Sequence, residues 1–172
     1  MITKKMEDAL NKQITAELYS SYLYLAMAAQ AEAKNLKGIA NWFRCQAQEE
    51  VVHGMKLYGF VHERGGRVTL EGLDKPPTEW ASPLAMFEDA YEHETKVTGM
   101  INALATLAEE EKDHASRSFL NWFVDEQVEE EASADEIVQQ LRLAGDGGPG
   151  LFMIDRELTL RSFVYPTAAE GE

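Results

Sequence analysis

Four stretches of helical periodicity each carry a glutamate in the middle of an otherwise apolar face. At the three- and four-residue spacing of one helical face, the interrupting carboxylates are Glu17, Glu50, Glu94 and Glu130. His53 follows Glu50 by three residues and Gln127 precedes Glu130 by three, so each pair shares a face. Carboxylates with an imidazole suit iron or manganese, and the absence of cysteine ligands argues against a structural zinc site.

A bound cation explains why carboxylates lie at core-facing positions. A lone glutamate near an apolar face often reaches water or pairs with a lysine. Four that converge in one bundle each cost several kcal/mol unless neutralised, and the four faces contain no Lys or Arg. A glutamate from each of two helices, plus paired ligands three residues apart on the other two, is the arrangement of di-iron carboxylate bundles. The residues therefore predict a di-iron site.

Helices must position these residues, and we predict an all-α fold. Strand signals are absent, and no proline precedes Pro76. Ser82 before Pro83 is a helix start, whereas Gly65 and Gly145 supply stops. The predicted helices run from about Lys4 to Lys34 (α1), Leu36 to Glu63 (α2), Pro83 to Glu111 (α3), Asp113 to Leu143 (α4) and Pro149 to Ser162 (α5).

Connection lengths predict the topology of a four-helix bundle with a short fifth helix. Short links make α1 and α2, and likewise α3 and α4, antiparallel neighbours. The loop from Gly65 to Ser82 is long: about 18 extended residues reach roughly 60 Å, whereas a helix of about 28 residues spans roughly 42 Å. We therefore predict two hairpins joined by a long crossover between α2 and α3. One domain covers residues 1–172, with the bundle over about 4–143 and the short helix over about 149–162.

Composition excludes several classes of partner. The chain has 172 residues, is 45% hydrophobic and carries a formal charge of −14, which repels phosphate backbones and anionic lipid surfaces. We therefore expect neither nucleic acid nor membrane as a partner. The amino terminus lacks a signal-peptide core, and the longest apolar stretch, Tyr22 to Ala29, is too short to span a bilayer. A single cysteine, Cys45, suits a buried position in a cytoplasmic protein.

Several short motifs resemble the non-haem ferritins of bacteria and archaea, over a span from about Met6 to about Val164. The matching pieces are Glu17 with Tyr24, QEEVVH from Gln48 to His53, ERGGRV from Glu63 to Val68, YEHE from Tyr91 to Glu94, and EQVEEEA from Glu126 to Ala132. The resemblance implies a ferritin-like bundle that forms a homo-oligomeric shell of 24 subunits. It also implies storage of iron as hydrated ferric oxide after ferroxidase oxidation of Fe(II) by dioxygen.

The resemblance also assigns roles to individual residues. Glu17, Glu50 and His53 would hold one iron, with Glu50 bridging to a second iron held by Glu94 and Glu130. Gln127 would lie beside this second iron, and Tyr24 next to the pair, as a donor of a hydrogen bond or an electron. A third, transit iron site would consist of Glu49, Glu126 and Glu129 together with Glu130.

Two departures from neighbouring families refine the expectation. Haem-binding bacterioferritin has a methionine directly after the bridging glutamate, where this chain has Val51, so we expect no haem. The α4 helix offers Gln127-x-x-Glu130 instead of Glu-x-x-His, so the second iron is expected to be held less permanently. A site that releases oxidised iron suits a store.

Other interpretations of the same residues stay open at this stage. A di-iron oxygenase acting on a small molecule would keep a stoichiometric iron pair, and an acidic helical bundle acting as an interaction module would bind no iron. The acids around Glu129 also fit a solvated helix edge, and Tyr24 also fits core packing. We expect the remaining histidines, His62, His93 and His114, to be ordinary solvated side chains.

Overall fold

The computed structural model describes residues 1–145 and 147–165, and these contain five helices and no strand. The helices are α1 (Lys4–Ala33), α2 (Lys37–Glu63), α3 (Pro83–Glu110), α4 (His114–Ala144) and α5 (Pro149–Leu158). The all-α prediction is confirmed, and every predicted end of α1 to α4 agrees with the structure to within one residue. Among the described helices, none is both long enough and apolar enough to cross a membrane.

Side-chain caps explain where three of the long helices begin. Thr3 accepts a hydrogen bond from the Met6 backbone N–H at 3.3 Å, and Ser82 accepts one from Ala85 at 3.1 Å. The carboxylate of Asp113 accepts from the Ser116 N–H at 3.1 Å, so this residue is the cap of α4 rather than its first helical residue.

Two tight turns close the hairpins. Asn35, with φ of 59°, joins α1 to α2, and Lys112, with φ of 55°, joins α3 to α4. Asn commonly adopts this left-handed conformation, whereas Lys rarely does, so the second turn gives no such signal in the sequence. Gly65 and Gly145, each with φ of 72°, end α2 and α4 as predicted.

The long connection between α2 and α3 crosses the bundle from one end to the other. It leaves α2 where the Ile2 N–H donates to the Arg64 carbonyl at 3.2 Å, beside the start of α1. It reaches the far end of α1 at Trp80, whose N–H donates to the Gln30 side chain at 2.7 Å. The crossover prediction is therefore confirmed, and α2 and α3 run in the same direction.

Two apolar clusters fill the bundle, one toward each end. One cluster is built around Trp42, Phe43 and Phe87, and the other around Leu10, Leu57 and Phe123. The four glutamates of the sequence stripes lie between the two clusters along their helices, so they form a polar layer inside the core. Cys45 is buried, as predicted.

Helix α5 packs against the start of α2. Its Asp155 carboxylate accepts hydrogen bonds from the N–H groups of Gly38 and Ile39, both at 2.9 Å, and so caps α2 where Leu36 supplies no side-chain cap. The predicted end of α5 at Ser162 is wrong, because the helix ends at Leu158. The Asn41 amide donates to the Leu158 carbonyl at 3.1 Å, and this long-range contact holds the chain in a non-helical path.

This docking leads to a prediction for Gly38. A Cβ atom there would lie 1.5 Å from the Asp155 carbonyl oxygen, so Gly38→Ala must push α5 away from α2 at a cost of about 2 kcal/mol or more. We expect limited proteolysis to remove the chain after residue 145 faster than in the wild type. Gly59→Ala, in the same helix with nothing within 4 Å of the new methyl group, is the matched control. Equal protease resistance of the two variants would contradict the docking.

Candidate metal centre

The four stripe glutamates are buried side by side in the bundle. Glu17, Glu50, Glu94 and Glu130 have exposed fractions of 1%, 2%, 2% and 6%. Across residues 1–145 and 147–165, no lysine or arginine nitrogen lies within 4.0 Å of any of these carboxylates. The burial and the lack of a neutralising side chain agree with the sequence argument for a bound cation.

The first group of candidate ligands combines Glu17, Glu50 and His53. One ligand atom from each lies within 4.8 Å of the other two, and the His53 Nδ1 is 3.4 Å from a Glu50 carboxylate oxygen. Glu17 receives one hydrogen bond, at 2.9 Å, from the Gln13 amide. Its other oxygen, Oε2, is buried without a hydrogen-bond partner among the described residues, which leaves a lone pair free for a cation.

The second group combines His53, Glu126 and Glu130, also with ligand atoms within 4.8 Å of one another. The His53 Nε2 is 3.9 Å from a Glu126 oxygen, so the two ring nitrogens face different carboxylates. The imidazole packs against the rings of Trp122 and Phe123, whose centroids lie 5.4 and 6.2 Å away and whose planes are inclined to it by 76°.

Glu94 belongs to neither group. The Tyr24 hydroxyl donates to one of its oxygens, and the Gln127 amide donates to the other at 3.2 Å. The same amide also contacts the Thr98 hydroxyl at 3.2 Å. Gln127 and Tyr24, predicted beside the second iron, are therefore hydrogen-bond donors that orient Glu94.

Burial sets the protonation of the centre. It raises the pKa of Glu17 to about 7 and raises the pKa of Glu50, Glu94 and Glu130, with repulsion from Glu94 adding to the shift of Glu50 and Glu130. Burial lowers the pKa of His53 to about 4, so its imidazole is neutral at physiological pH. A metal ion binds neutral imidazole and ionised carboxylates, and a bound cation would stabilise the ionised form of these buried carboxyls.

These shifts predict how the metal-free protein responds to pH. The carboxyl of Glu17, whose pKa is raised from 4.5 to about 7, contributes stability that is complete below pH 4.5 and is lost progressively between pH 4.5 and about pH 7, roughly 3 kcal/mol for this group alone. The buried His53, whose pKa is lowered from 6.5 to about 4, has the opposite effect: its destabilisation disappears as the pH rises from 4 to 6.5, which offsets the loss from Glu17 in that range. Above pH 6.5 only the buried carboxyls contribute, and burial raises the pKa of Glu50 and Glu130 as well, so we expect the unfolding temperature of the metal-free protein to fall between about pH 6.5 and pH 8.

Bound zinc should abolish this fall in unfolding temperature, because a cation stabilises the ionised carboxylates. Glu17→Gln should make it shallower, whereas Glu63→Gln, an exposed position of α2, should leave it as in the wild type. Thermal unfolding followed by circular dichroism measures the effect. An unfolding temperature that rises over this pH range in the metal-free protein would contradict it.

The acids predicted for the transit site lie near one another: burial raises the pKa of Glu126, and repulsion from Glu129 and Glu49 adds to that shift. Glu126 lies in the second group, whereas Glu129 is exposed on α4. Glu49 is half-buried and forms an ion pair with Arg161 of the segment that follows α5.

Two glutamines that support the centre were not assigned from the sequence. Gln13 donates to Glu17, and the Gln46 amide donates both to Glu130 and, at 3.5 Å, to Glu50. Each glutamine precedes a site glutamate by four residues, the spacing at which side chains of one helix meet. The Gln-x-x-x-Glu spacing was thus the available signal.

One histidine does not match its prediction. His93 is half-buried, and its Nε2 lies 2.8 Å from the Ser20 hydroxyl oxygen, so the expectation of a solvated side chain is wrong. Its ring also packs at 5.9 Å from the ring of Tyr24, and burial lowers its pKa to about 4. The reason is the packing of α3 against α1, which covers more of α3 than its apolar stripe indicates. His62 and His114 are exposed, as predicted.

A family model described as a ferritin-like domain matches residues 7–144, which contain all of the predicted iron ligands. The chain belongs to the ferritin family. The resemblance inferred from the motifs is therefore confirmed, and ferritins are iron-storage proteins. The fold is ferritin-like, as predicted.

Known ferritins match along almost the whole chain. A bacterial non-haem ferritin of Bacteroides fragilis is 43% identical over 161 residues, covering 94% of this chain and all of the relative. A structure described as an open pore ferritin of Archaeoglobus fulgidus is 54% identical, covers 94% of this chain and all of its own, and has a TM-score of 0.93. An engineered closed form of the Archaeoglobus ferritin, also 54% identical, covers 95% and 100% of the two chains with a TM-score of 0.94.

Proposed function

We propose that this ferritin oxidises Fe(II) with dioxygen at the candidate metal centre and stores the product as hydrated ferric oxide inside a homo-oligomeric shell. The observation that carries the proposal is a buried layer of four carboxylates, three of which share a candidate ligand group with His53 and none of which forms an ion pair with a lysine or arginine in the described part of the chain. Family membership supports the iron-storage role. Single-domain organisation over residues 1–172 and a cytoplasmic location are part of the same proposal.

The proposed iron ligands divide between two positions. Glu17, Glu50 and His53 hold one ferrous ion, and Glu50, Glu94 and Glu130 hold the second. The iron is the substrate: two ferrous ions supply electrons and dioxygen accepts them. The four carboxylates at −4 balance two ferrous ions at +4, so a filled centre is neutral inside a low-dielectric core.

The surrounding side chains orient the ligands and handle protons. Tyr24 and Gln127 fix the Glu94 carboxylate from both of its oxygens, and Gln13 fixes one oxygen of Glu17. Burial keeps protons on the empty site, because it raises the pKa of Glu17, Glu50 and Glu130. Iron binding must therefore release protons, and His53 accepts none because its pKa is low.

The proposed shell contains 24 identical subunits. Similarity to ferritins described as having open-pore and closed forms supports an assembled cage. Large apolar side chains that are exposed in the single chain support burial between subunits: they include Tyr22, Leu25, Leu70, Phe152 and Met153. We propose that no haem is bound, in line with Val51 and with the non-haem name of the relatives.

Aerobic loading with ferrous iron tests the proposal. After size-exclusion chromatography, we expect the iron to elute with a large assembly and to exceed by far the roughly two ions per subunit that a paired site holds. A di-iron oxygenase would retain only the pair and form no mineral, and an interaction module would retain no iron. Either of these last results would overturn the proposal.

A further inference from the structure

The segment that follows α5 is held along one face of α2. The Asn41 amide donates to the Leu158 carbonyl at 3.1 Å and to the Arg161 carbonyl at 2.8 Å. The Cys45 thiol lies 3.7 Å from the same Arg161 carbonyl. Two successive turns of α2 therefore fix the backbone at residue 161, which places the Arg161 side chain next to the metal centre.

The Arg161 guanidinium has three partners on α2. It lies over the ring of Trp42, with its central carbon 4.6 Å from the ring centroid. One nitrogen donates to the Gln46 side-chain oxygen at 2.8 Å and also forms the ion pair with Glu49. The side chain is 22% exposed, so the ion pair is partly shielded from water.

Gln46 connects Arg161 to the proposed iron ligands. Its oxygen accepts from the guanidinium, and its nitrogen donates to Glu130 and to Glu50. An amide with a cation on its oxygen and carboxylates on its nitrogen has only one favourable orientation. Arg161 therefore determines which end of Gln46 faces the centre.

We propose that Arg161 is a positioning residue that orients Gln46 toward Glu130 and neutralises Glu49 until a metal cation displaces it. The inference rests on the proposed function, because it concerns how that iron site is controlled. In the metal-free protein the guanidinium holds Glu49, one of the acids of the proposed transit site. A cation that binds Glu49 must compete with this guanidinium, so Arg161 weakens binding there and limits how long oxidised iron is held.

Zinc binding to the metal-free full-length protein, measured by calorimetry, tests the displacement. Zinc is a redox-silent probe, so binding is separated from oxidation. We expect the zinc site that includes Glu49 to be the weaker one. In Arg161→Gln its affinity for zinc should rise by about 3- to 10-fold, because the guanidinium no longer competes for Glu49. Arg156→Gln is the matched control, since Arg156 is exposed on α5 and forms no ion pair among the described residues.

Two further variants separate the two roles of Arg161. Arg161→Lys keeps the positive charge, so the zinc affinity of the weaker site should return toward the wild type. It lacks the forked guanidinium that contacts Gln46 and Glu49 together. First-turnover iron oxidation should be slowed a few-fold both in Arg161→Gln and in Arg161→Lys, because Gln46 is free to turn in each. In a Glu49→Gln background, Arg161→Gln should change zinc affinity by less than about 2-fold.

The outcomes distinguish this inference from the proposed function. The inference would be overturned if the weaker zinc site had the same affinity in Arg161→Gln and Arg156→Gln. It would also be overturned if Arg161→Gln raised zinc affinity as much in the Glu49→Gln background as it does in the wild type. In either case the wild type would still bind and oxidise iron. If the wild type itself neither binds a pair of metal ions nor oxidises iron, the proposed function fails first.

Discussion

Loss of rapid iron oxidation is the expected result for His53→Ala and for Glu50→Ala. His53 belongs to both groups of candidate ligands, and Glu50 shares the first group with Glu17 and His53. Removal of either side chain leaves too few ligands to hold two ferrous ions at once. We expect the initial aerobic rate, followed by absorbance in a stopped-flow instrument, to fall by roughly a hundredfold or more.

A check that these variants are folded distinguishes loss of the metal site from loss of the fold. Glu50→Ala removes a buried carboxylate whose burial opposes its ionisation, so the metal-free variant should remain folded. Glu50→Gln keeps the volume of the side chain and serves as a second variant. His62→Ala and Glu63→Ala, exposed on the same helix, are controls that should oxidise iron normally. Wild-type rates in His53→Ala or Glu50→Ala would mean that the centre is elsewhere.

Paired removal of Glu126 and Glu129 should affect later turnovers far more than the first. Glu126 lies near Glu130 and His53, whereas Glu129, which directly precedes Glu130, is exposed. In the predicted transit site, ferric ions that leave through Glu130 would meet these acids next. In Glu126→Ala with Glu129→Ala, we expect the first oxidation of about two irons per subunit to stay nearly intact and later additions to slow about tenfold.

Repeated sub-stoichiometric iron additions measure this separation of early and late phases. The matched control is Asp125→Ala with Glu136→Ala, which removes two exposed acids from the same helix. If Glu126 and Glu129 are only a solvated helix edge, the two double variants will be indistinguishable through every addition. That outcome would remove the transit site from the account.

The sequence predicted the fold and the buried layer because both depend on local patterns. Helical periodicity placed Glu17 and Glu130 inside the core, and the structure confirms burial of both. Ser82 as a cap and Gly65 as a stop gave helix ends that the structure reproduces, since caps act within one turn. The crossover followed from loop length alone. The assignment of iron ligands came from the family resemblance and stays a prediction.

Contacts between distant parts of the chain could not be predicted from these patterns. Arg161 contacts Gln46, which is 115 residues away in the sequence. Asn41, on α2, donates a hydrogen bond to the carbonyl of Leu158, where α5 ends. The half-burial of His93 depends on how α1 packs against α3, which periodicity within α3 does not determine. Such contacts are set by the relative placement of helices, for which a single sequence carries no spacing rule.

Anaerobic titration with ferrous iron tests the central claim most directly. If the buried carboxylate layer is a paired iron site, calorimetry of the metal-free protein will show tight binding of about two ferrous ions per subunit. Proton release should accompany binding, because the empty site holds protons on carboxyls whose pKa burial has raised. Admission of oxygen should then oxidise both ions together. Binding that saturates at one ion per subunit, or no tight binding, would contradict the account.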